Sequence, residues 1–361
     1  MTEQKKSKSK RFTPFGIVFT ILGLLLFAYF VKKAGLSEIW ADIKQLGAGF
    51  LLVMLVSAAR PVVRSLAWTR AFTGEHRLRF RDALGAYLIG DAVGTLVPLG
   101  IFVSEPTKAA LVRKRVPLVA SLSALAVENI FYSLSVALFI FAGTAALLFS
   151  FNLPKPLRIA SIAALVSILL IIPLAALVLR KRWKFLSGAV DLLHRRGIAR
   201  GFFERKRAGV VDVENRIYGF YEQSGSRFLS IILLEVCFHL AGVLEVFVTL
   251  WFISETAPSL LTAFVLESVN RFINVVFKFV PMRVGVDEAG TGMLAKVLGL
   301  TTATGVSLAI VRKARILVWT AVGVVLIAMR GLSWREVTRG QPVVEEGEAI
   351  RAAPASESQT G

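Results

Sequence analysis

The 361-residue chain is too apolar to be a soluble protein. Its composition is 55% hydrophobic and only 19% charged, and its mean hydropathy is +0.66. Length alone would predict two or three soluble domains, and this composition excludes them. We therefore expect an all-α, polytopic integral membrane protein.

The charge balance at first suggests a different class. The chain has 43 Lys and Arg against 24 Asp and Glu, a net charge of +19, which is an excess typical of nucleic-acid-binding proteins. In a chain this apolar, however, basic residues are expected in cytoplasmic loops that face anionic lipid. We expect no nucleic-acid partner. The single cysteine, Cys237, excludes an intramolecular disulfide and a cysteine-based metal site.

Six apolar runs are long enough to cross about 30 Å of hydrocarbon. The first follows a basic N-terminal segment, 1–13, and precedes Lys32-Lys33 rather than a small-residue cleavage site, so we expect an uncleaved span. The six runs are 14–31, 46–63, 118–140, 159–179, 228–252 and 307–329. Two more apolar segments, 83–102 and 260–280, are interrupted by polar and helix-breaking residues. They predict broken or re-entrant segments buried within protein.

The distribution of basic residues predicts the orientation. Segment 180–227 carries twelve Lys and Arg residues and is expected to be cytoplasmic. Counting spans outward from it places both termini in the cytoplasm, as for a plasma or inner membrane protein. The same count puts 64–81 inside and 151–158 outside. The tail 330–361, rich in Glu, Ala, Ser and Pro, predicts a disordered cytoplasmic segment.

An internal repeat relates two parts of the chain. "VPLGIFVSEPTKAAL" at 97–111 and "VPMRVGVDEAGTGML" at 280–294 match in five positions without a gap. The copies extend over about 83–140 and 266–329. Three predicted spans separate them, so the copies are expected to enter the membrane from opposite faces. This inverted-topology repeat is typical of alternating-access transporters, whose sites lie near the bilayer midplane.

Each copy pairs a proline with a glutamate seven residues later. These pairs are Pro98 with Glu105 and Pro281 with Glu288. Freed backbone groups and one carboxylate from each copy could therefore meet a polar headgroup at the centre. The alternative is that the prolines only turn a hairpin and that the glutamates cap the helices that follow. The two roles are compatible.

Ionisable residues within spans indicate function because they are costly in lipid. We expect about half of them to form structural ion pairs instead. The candidate substrate-binding residues are Asp91, Pro98, Glu105, Lys108, Glu128, Arg271, Pro281, Arg283, Asp287, Glu288, Arg312 and Arg315.

Arg60, Arg64 and Trp68 are candidate headgroup contacts at the cytoplasmic interface, with simple anchoring as the favoured alternative. Glu235 and His239, four residues apart, predict a hydrogen-bonded polar stripe rather than a metal site. We expect neither a metal nor another cofactor. Arg312, Lys313 and Arg315 present a conflict, because they fall at the predicted outer end of the last span.

The stretches "GDAVGTLVPLGIFVSEPTKAALV" and "FKFVPMRVGVDEAGTGMLAKVLGL", together with the span layout, resemble the membrane region of the lysylphosphatidylglycerol synthase/flippase-like family. The resemblance covers about residues 12–330 and implies a flippase-like transmembrane domain at 14–329 that moves a lipid between leaflets. Relatives carry a separate C-terminal transferase domain; here a short tail follows, so aminoacyl transfer is not expected. Asp91 stands where the family pattern predicts Asn, so headgroup preference is not carried over.

Three functions remain open at this stage. The first is a flippase or transporter for a phospholipid, anionic or headgroup-modified, or for a lipid-linked intermediate. The second is an integral membrane transferase, although the chain has no Gly-rich nucleotide loop, Asp-x-Asp motif or Ser-His-Asp set. The third is a non-transporting partner of a separately encoded lipid-modifying enzyme, docked on 180–227.

Overall fold

The computed structural model describes residues 35–72, 76–97, 100–180, 225–278 and 280–330, with isolated positions before residue 35 and between 211 and 219. The predicted N-terminal segment 1–13, most of 14–31, most of the basic loop 180–227, and 331–361 lie outside the described residues. Within the described ranges the helices are α1 Leu36–Leu46, α2 Gly49–Arg70, α3 Phe80–Leu96, α4 Ile101–Leu111, α5 Leu118–Ser150, α6 Lys155–Arg180, α7 Gly225–Ile253, α8 Leu260–Val276, α9 Val286–Val297 and α10 Thr302–Met329.

The all-α, polytopic membrane architecture is confirmed. Among the described residues, four helical stretches are long and apolar enough to cross a membrane: Gly49–Arg70, Leu118–Ser150, Lys155–Leu174 and Arg227–Ile253. Helix α10 spans 28 residues but carries three basic residues in its interior. At 1.5 Å per residue, a helix of about 20 residues covers the hydrocarbon layer.

Helix α6 faces outward along most of its length. Only 6% of its apolar stretch is buried, and its leucine and isoleucine side chains are exposed, for example Leu169, Leu170 and Ile171 at 62%, 66% and 58%. A helix that exposes apolar side chains on this scale is stable only in a hydrocarbon solvent. We therefore expect the exposed face of α6 to contact lipid.

The second predicted span ends later than the sequence indicated. We expected it to stop at residue 63, with Arg64 starting a cytoplasmic loop, yet α2 continues to Arg70. Pro61 does not end the helix; the Ser65 hydroxyl donates a hydrogen bond of 2.6 Å to the carbonyl that precedes it by four residues, at Pro61. Arg64 and Trp68 consequently lie inside the bundle, at 5% and 0% exposure.

The two interrupted segments form helical hairpins, as predicted. In the first hairpin α3 ends at Leu96 and α4 begins at Ile101. In the second hairpin α8 ends at Val276, a 3₁₀ turn occupies Pro281–Arg283, and α9 begins at Val286. The legs of the first hairpin are very close, since a Cβ atom at Gly100 would collide with the Gly94 carbonyl. Pro98 lies outside the described residues.

An apolar cluster, which we call the first cluster, contains residues from the start of α3 and the end of α4. These are the open ends of the first hairpin, the ends away from its turn. Trp68 near the end of α2 packs there with Ala83 of α3, Ala109 of α4 and Ala120 of α5. The end of α2, the start of α5 and both legs of the first hairpin therefore occupy one end of the bundle.

The second cluster occupies the opposite ends of the same long helices. It contains Val53 from the first half of α2, Leu147 from the end of α5 and Leu250 from the end of α7. Ala263 of α8 and Leu294 of α9 join it, so the open ends of the second hairpin lie here. Each hairpin thus inserts from a different end of the bundle.

The hairpins also pack across the bundle. Gly323 on α10 meets Leu88 and Ala92 of α3, while Gly143 on α5 meets Ser268 of α8. Each hairpin's first helix therefore contacts the long helix that follows the other hairpin. The absence of a side chain at the two glycines permits this close approach.

Helix α1 lies against the start of α10. Its Ile39 packs on Ala303 and Val306, and the Ser307 hydroxyl donates a hydrogen bond of 2.7 Å to Asp42. Burial raises the pKa of the Asp42 carboxyl above its ordinary value, and the hydrogen bond from Ser307 partly opposes that shift.

Candidate functional site

Charged side chains form a buried belt between the two apolar clusters. On α2, Arg60 and Arg64 lie between Val53 of the second cluster and Ala67 of the first. Ion pairs connect them to α5, α7 and α8. Glu267 of α8 in turn pairs with Arg312 of α10. A charge inside a membrane protein persists only when it is paired or faces a polar cavity. The belt is therefore the part of the described structure where polar chemistry is possible.

The first part of the belt, the arginine cluster, joins four helices. Arg60 of α2 pairs with Glu245 of α7 at 3.0 Å and with Glu267 of α8 at 3.1 Å. Arg271 contacts Glu267 at 2.6 Å and Arg312 contacts it at 3.5 Å. The cluster consists of Arg60, Arg271, Arg312, Arg315, Glu245 and Glu267.

Arg315 completes this cluster through Glu245, at 2.7 Å. The ring of Phe238 also lies against it, with the guanidinium carbons of Arg60 and Arg271 5.0 and 4.9 Å from the ring centre. Cation–π contacts of this kind hold desolvated arginines in place. Four arginines share two carboxylates, so the cluster carries a surplus of positive charge.

The second part, the acidic cluster, comprises Arg64, Glu128 and Glu235. Arg64 contacts Glu128 of α5 at 2.9 Å and Glu235 of α7 at 3.6 Å. The Tyr132 ring centre lies 3.9 Å from the Arg64 guanidinium carbon. Two carboxylates share one arginine here, next to the arginine cluster.

The predicted polar stripe of Glu235 and His239 exists and is bridged by one hydroxyl. Ser135 Oγ lies 3.3 Å from Glu235 Oε2 and 3.1 Å from His239 Nε2. The imidazole of His239 stacks on Phe139, with ring centres 4.4 Å apart. Within the described residues, no group of three or more His, Cys, Asp or Glu side chains could hold a metal ion.

The first hairpin contributes a lysine held by two carboxylates. Lys108 on α4 is only 2% exposed and contacts Asp91 of α3 at 3.0 Å and Glu105 at 2.9 Å. Its ammonium also lies 4.0 Å from the centre of the Tyr87 ring. Gly90 permits this placement because a Cβ atom there would collide with the lysine stem. This first-hairpin triad of Asp91, Glu105 and Lys108 carries one surplus negative charge.

The second hairpin contributes a balanced group at the start of α9. Lys313 of α10 contacts Glu288 at 2.7 Å and Asp287 at 3.3 Å, and Arg283 contacts Asp287 at 3.4 Å. The Gly285 amide donates a 2.7 Å hydrogen bond to Glu288, which caps the helix. The capping alternative is therefore correct for Glu288. Glu105 instead lies within α4 and accepts from Lys108.

The candidate residues sort into these groups. Arg271, Arg312 and Arg315 lie in the arginine cluster, Glu128 in the acidic cluster, Asp91, Glu105 and Lys108 in the first-hairpin triad, and Arg283, Asp287 and Glu288 in the second-hairpin group. Pro281 begins the 3₁₀ turn at the tip of the second hairpin. Whether these residues bind a ligand stays a prediction.

The structure buries Arg60, Arg64 and Trp68 inside the bundle, so their side chains are not exposed for the predicted headgroup contact. Arg60 and Arg64 are 8% and 5% exposed because their charges are paired inside the bundle, and Trp68 is fully buried in the first cluster. The predicted outer position of Arg312 and Arg315 is wrong. Helix α10 begins at Thr302, which places both arginines about three turns inside it, where they pair with carboxylates.

Glu245, Glu267 and Lys313 organise the belt, although none of them is among the candidate substrate-binding residues. Glu267 is 1% exposed and contacts three arginines. Their position inside apolar helices was the available signal. No sequence signal distinguished Phe238 from the other aromatic residues of α7.

The fold and the buried belt define a multi-pass membrane protein with a polar interior. Residues 15–336 match the family described as "Lysylphosphatidylglycerol synthase TM region". The chain belongs to this family, and the match covers most of its length. A role connected with membrane lipid follows from that membership. No curated protein and no solved structure matches the chain.

Proposed function

We propose that the protein moves a polar-headgroup phospholipid, or a lipid-linked intermediate, between the leaflets of a plasma or inner membrane. The observation that carries the proposal is the buried belt of charges between the two apolar clusters. A headgroup crossing the hydrocarbon layer needs polar partners at mid-depth, and such partners are too costly in lipid to persist without a role.

Opposite insertion of the hairpins supports an inverted-topology repeat. The open ends of the first hairpin pack with the end of α2, and those of the second hairpin pack with its first half. Gly143, on the long helix after the first hairpin, contacts Ser268 of the second hairpin. Gly323, on the long helix after the second hairpin, contacts Ala92 of the first hairpin. Two halves of opposite orientation can expose a central site to each side in turn.

The proposal also includes an orientation and excludes covalent chemistry. We place the first-cluster end of the bundle in the cytoplasm, because the basic segments on either side of the first hairpin, around Arg79 and Arg113, lie at that end. Both termini are then cytoplasmic. The chain moves or binds the lipid and does not modify it.

The test is lipid movement in vesicles that contain the purified protein. Phospholipids with several fluorescent headgroup labels would be incorporated in both leaflets, and dithionite would reduce those in the outer leaflet. We expect fluorescence loss beyond half for at least one label, and a slower loss with Arg60→Gln. The exposed Arg113→Gln serves as the matched control. No acceleration over protein-free vesicles for any headgroup would overturn the proposal.

A further inference from the structure

We infer that the arginine cluster binds an oxyanion of the phosphate class through Arg312 and Arg271. The inference deepens the proposed function by naming the chemical group that the belt receives, and it depends on that function only for the ligand being a lipid.

The first argument is charge. All six side chains of the arginine cluster are at most 16% exposed, and four of them are cations against two anions. A buried ion pair can balance its own desolvation cost, whereas a buried unpaired charge is strongly destabilising. The surplus of two positive charges is sufficient to balance a phosphodiester, which carries one negative charge, or a free phosphate, which carries up to two.

Nearby carboxylates do not remove this surplus. The carboxylates of the acidic cluster contact Arg64 instead. The carboxylates that interact electrostatically with Arg312 are Glu267, Glu245 and Asp287. Of these, Asp287 already pairs with Lys313 and Arg283. The positive charge is therefore localised on the α8 and α10 side of the belt.

The second argument is the set of donors left without partners. Nε and Nη1 of Arg312 and Nε of Arg271 are buried and donate no hydrogen bond to any of the described residues. Arg312 is 5% exposed and Arg271 is 7% exposed. Buried donors without partners are rare and costly, and each one needs an explanation.

The geometry favours a group with several oxygens. Arg271 and Arg312 come from different helices and contact opposite oxygens of Glu267, Oε1 and Oε2. Their remaining N–H groups therefore belong to two arginines that share one carboxylate. A guanidinium offers a planar fork that matches phosphate oxygens, and charge-assisted hydrogen bonds of this type are the strong ones.

The experiment measures ligand-dependent stability of the purified full-length protein in detergent. The unfolding temperature would be followed at constant ionic strength against three ligands: inorganic phosphate, dihexanoyl phosphatidylglycerol, and dihexanoylglycerol, which lacks phosphate. A ligand that binds only the folded state raises the unfolding temperature with its concentration. We expect the phosphodiester lipid to raise it and dihexanoylglycerol to leave it unchanged. Inorganic phosphate acting as strongly as the lipid would identify the free anion as the ligand and support the site.

Two variants of Arg312 assign the effect to the cluster. Arg312→Gln removes the charge and the free donors, and we expect at least a tenfold loss of affinity for the phosphate-containing ligand. Arg312→Lys keeps the charge and loses the fork, so a smaller loss is expected; it decides the question if the glutamine variant does not fold. Arg113→Gln, an exposed arginine, should bind as wild type does.

Two outcomes would overturn the inference: equal stabilisation by dihexanoylglycerol, or unchanged phosphate affinity in the folded Arg312 variants. These outcomes are separate from the vesicle assay. Lipid movement without phosphate binding would overturn this inference and leave the proposed function intact. Phosphate binding without lipid movement would overturn the proposed function and leave the phosphate site intact.

Discussion

Arg60 and Arg64 lie one helical turn apart on α2, and each bridges two carboxylates on other helices. Arg60 joins α7 to α8 through Glu245 and Glu267, whereas Arg64 joins α5 to α7 through Glu128 and Glu235. Helix α2 thus contributes one arginine to the arginine cluster and one to the acidic cluster. The ion pairs of α2 therefore connect α5, α7 and α8.

The first prediction concerns these bridges. Arg64→Ala should destabilise the protein by about 3–5 kcal/mol, because it leaves Glu128 and Glu235 buried without a cationic partner. Arg60→Ala should cost less, because Glu245 keeps Arg315 and Glu267 keeps Arg271 and Arg312. Thermal unfolding in detergent measures the effect. Arg113→Ala, which removes an exposed arginine, should change stability by less than about 0.5 kcal/mol. Equal stability of the three variants would show that the bridges contribute nothing.

The second prediction concerns the direction in which each hairpin inserts. Lys114, just after α4, and Lys296, in the last turn of α9, are both exposed at the open ends of their hairpins. In a Cys237→Ser background, Lys114→Cys and Lys296→Cys should react with a membrane-impermeant maleimide from opposite sides of sealed vesicles. Labelling of both from one side would eliminate the inverted repeat.

The third prediction concerns the cross-packing of the hairpins. Gly143→Ala and Gly323→Ala should lower stability, because the added Cβ atoms would collide with Ser268 and with Ala92. An alanine in place of glycine inside a helix normally gains about 0.5–1 kcal/mol, so the sign is diagnostic. Gly219→Ala is the control, since its Cβ atom meets nothing within 4 Å. Increased unfolding temperatures for Gly143→Ala and Gly323→Ala would contradict the packing.

The fourth prediction concerns pH and helix α1. Burial raises the pKa of Asp42, so the folded chain holds this proton at pH values where the unfolded chain has released it. The contribution of Asp42 to stability is therefore greatest below its ordinary pKa and declines as pH rises through the raised value. Unfolding temperatures measured from about pH 3.5 upward should show this decline. Asp42→Asn should remove it, and an unchanged pH profile in that variant would assign the decline to other groups.

The sequence predicted features that depend on local chemistry. Apolar runs of sufficient length identified the described spans, and interruptions within such runs identified both hairpins. The cap at Glu288 was also predictable, because its partner, Gly285, is only three residues away. Each of these features depends on residues within one helix or one turn.

Features that depend on distant partners could not be predicted in the same way. Arg64 was assigned to a loop because an isolated arginine is costly in a span, yet Glu128 neutralises it from 64 positions further along the chain. The same reasoning misplaced Arg312, whose carboxylate, Glu267, comes from another helix. Positive charge marks loops only where no buried acid compensates for it.

Glu267 has a consequence for motion inside the bundle. Three arginines, from α2, α8 and α10, compete for this one carboxylate. When α8 shifts relative to its neighbours, one arginine can take up the contact that another releases, so the carboxylate never becomes bare. Arg271 lies on the same helix as Glu267, so a movement of α8 would carry this partner with the carboxylate.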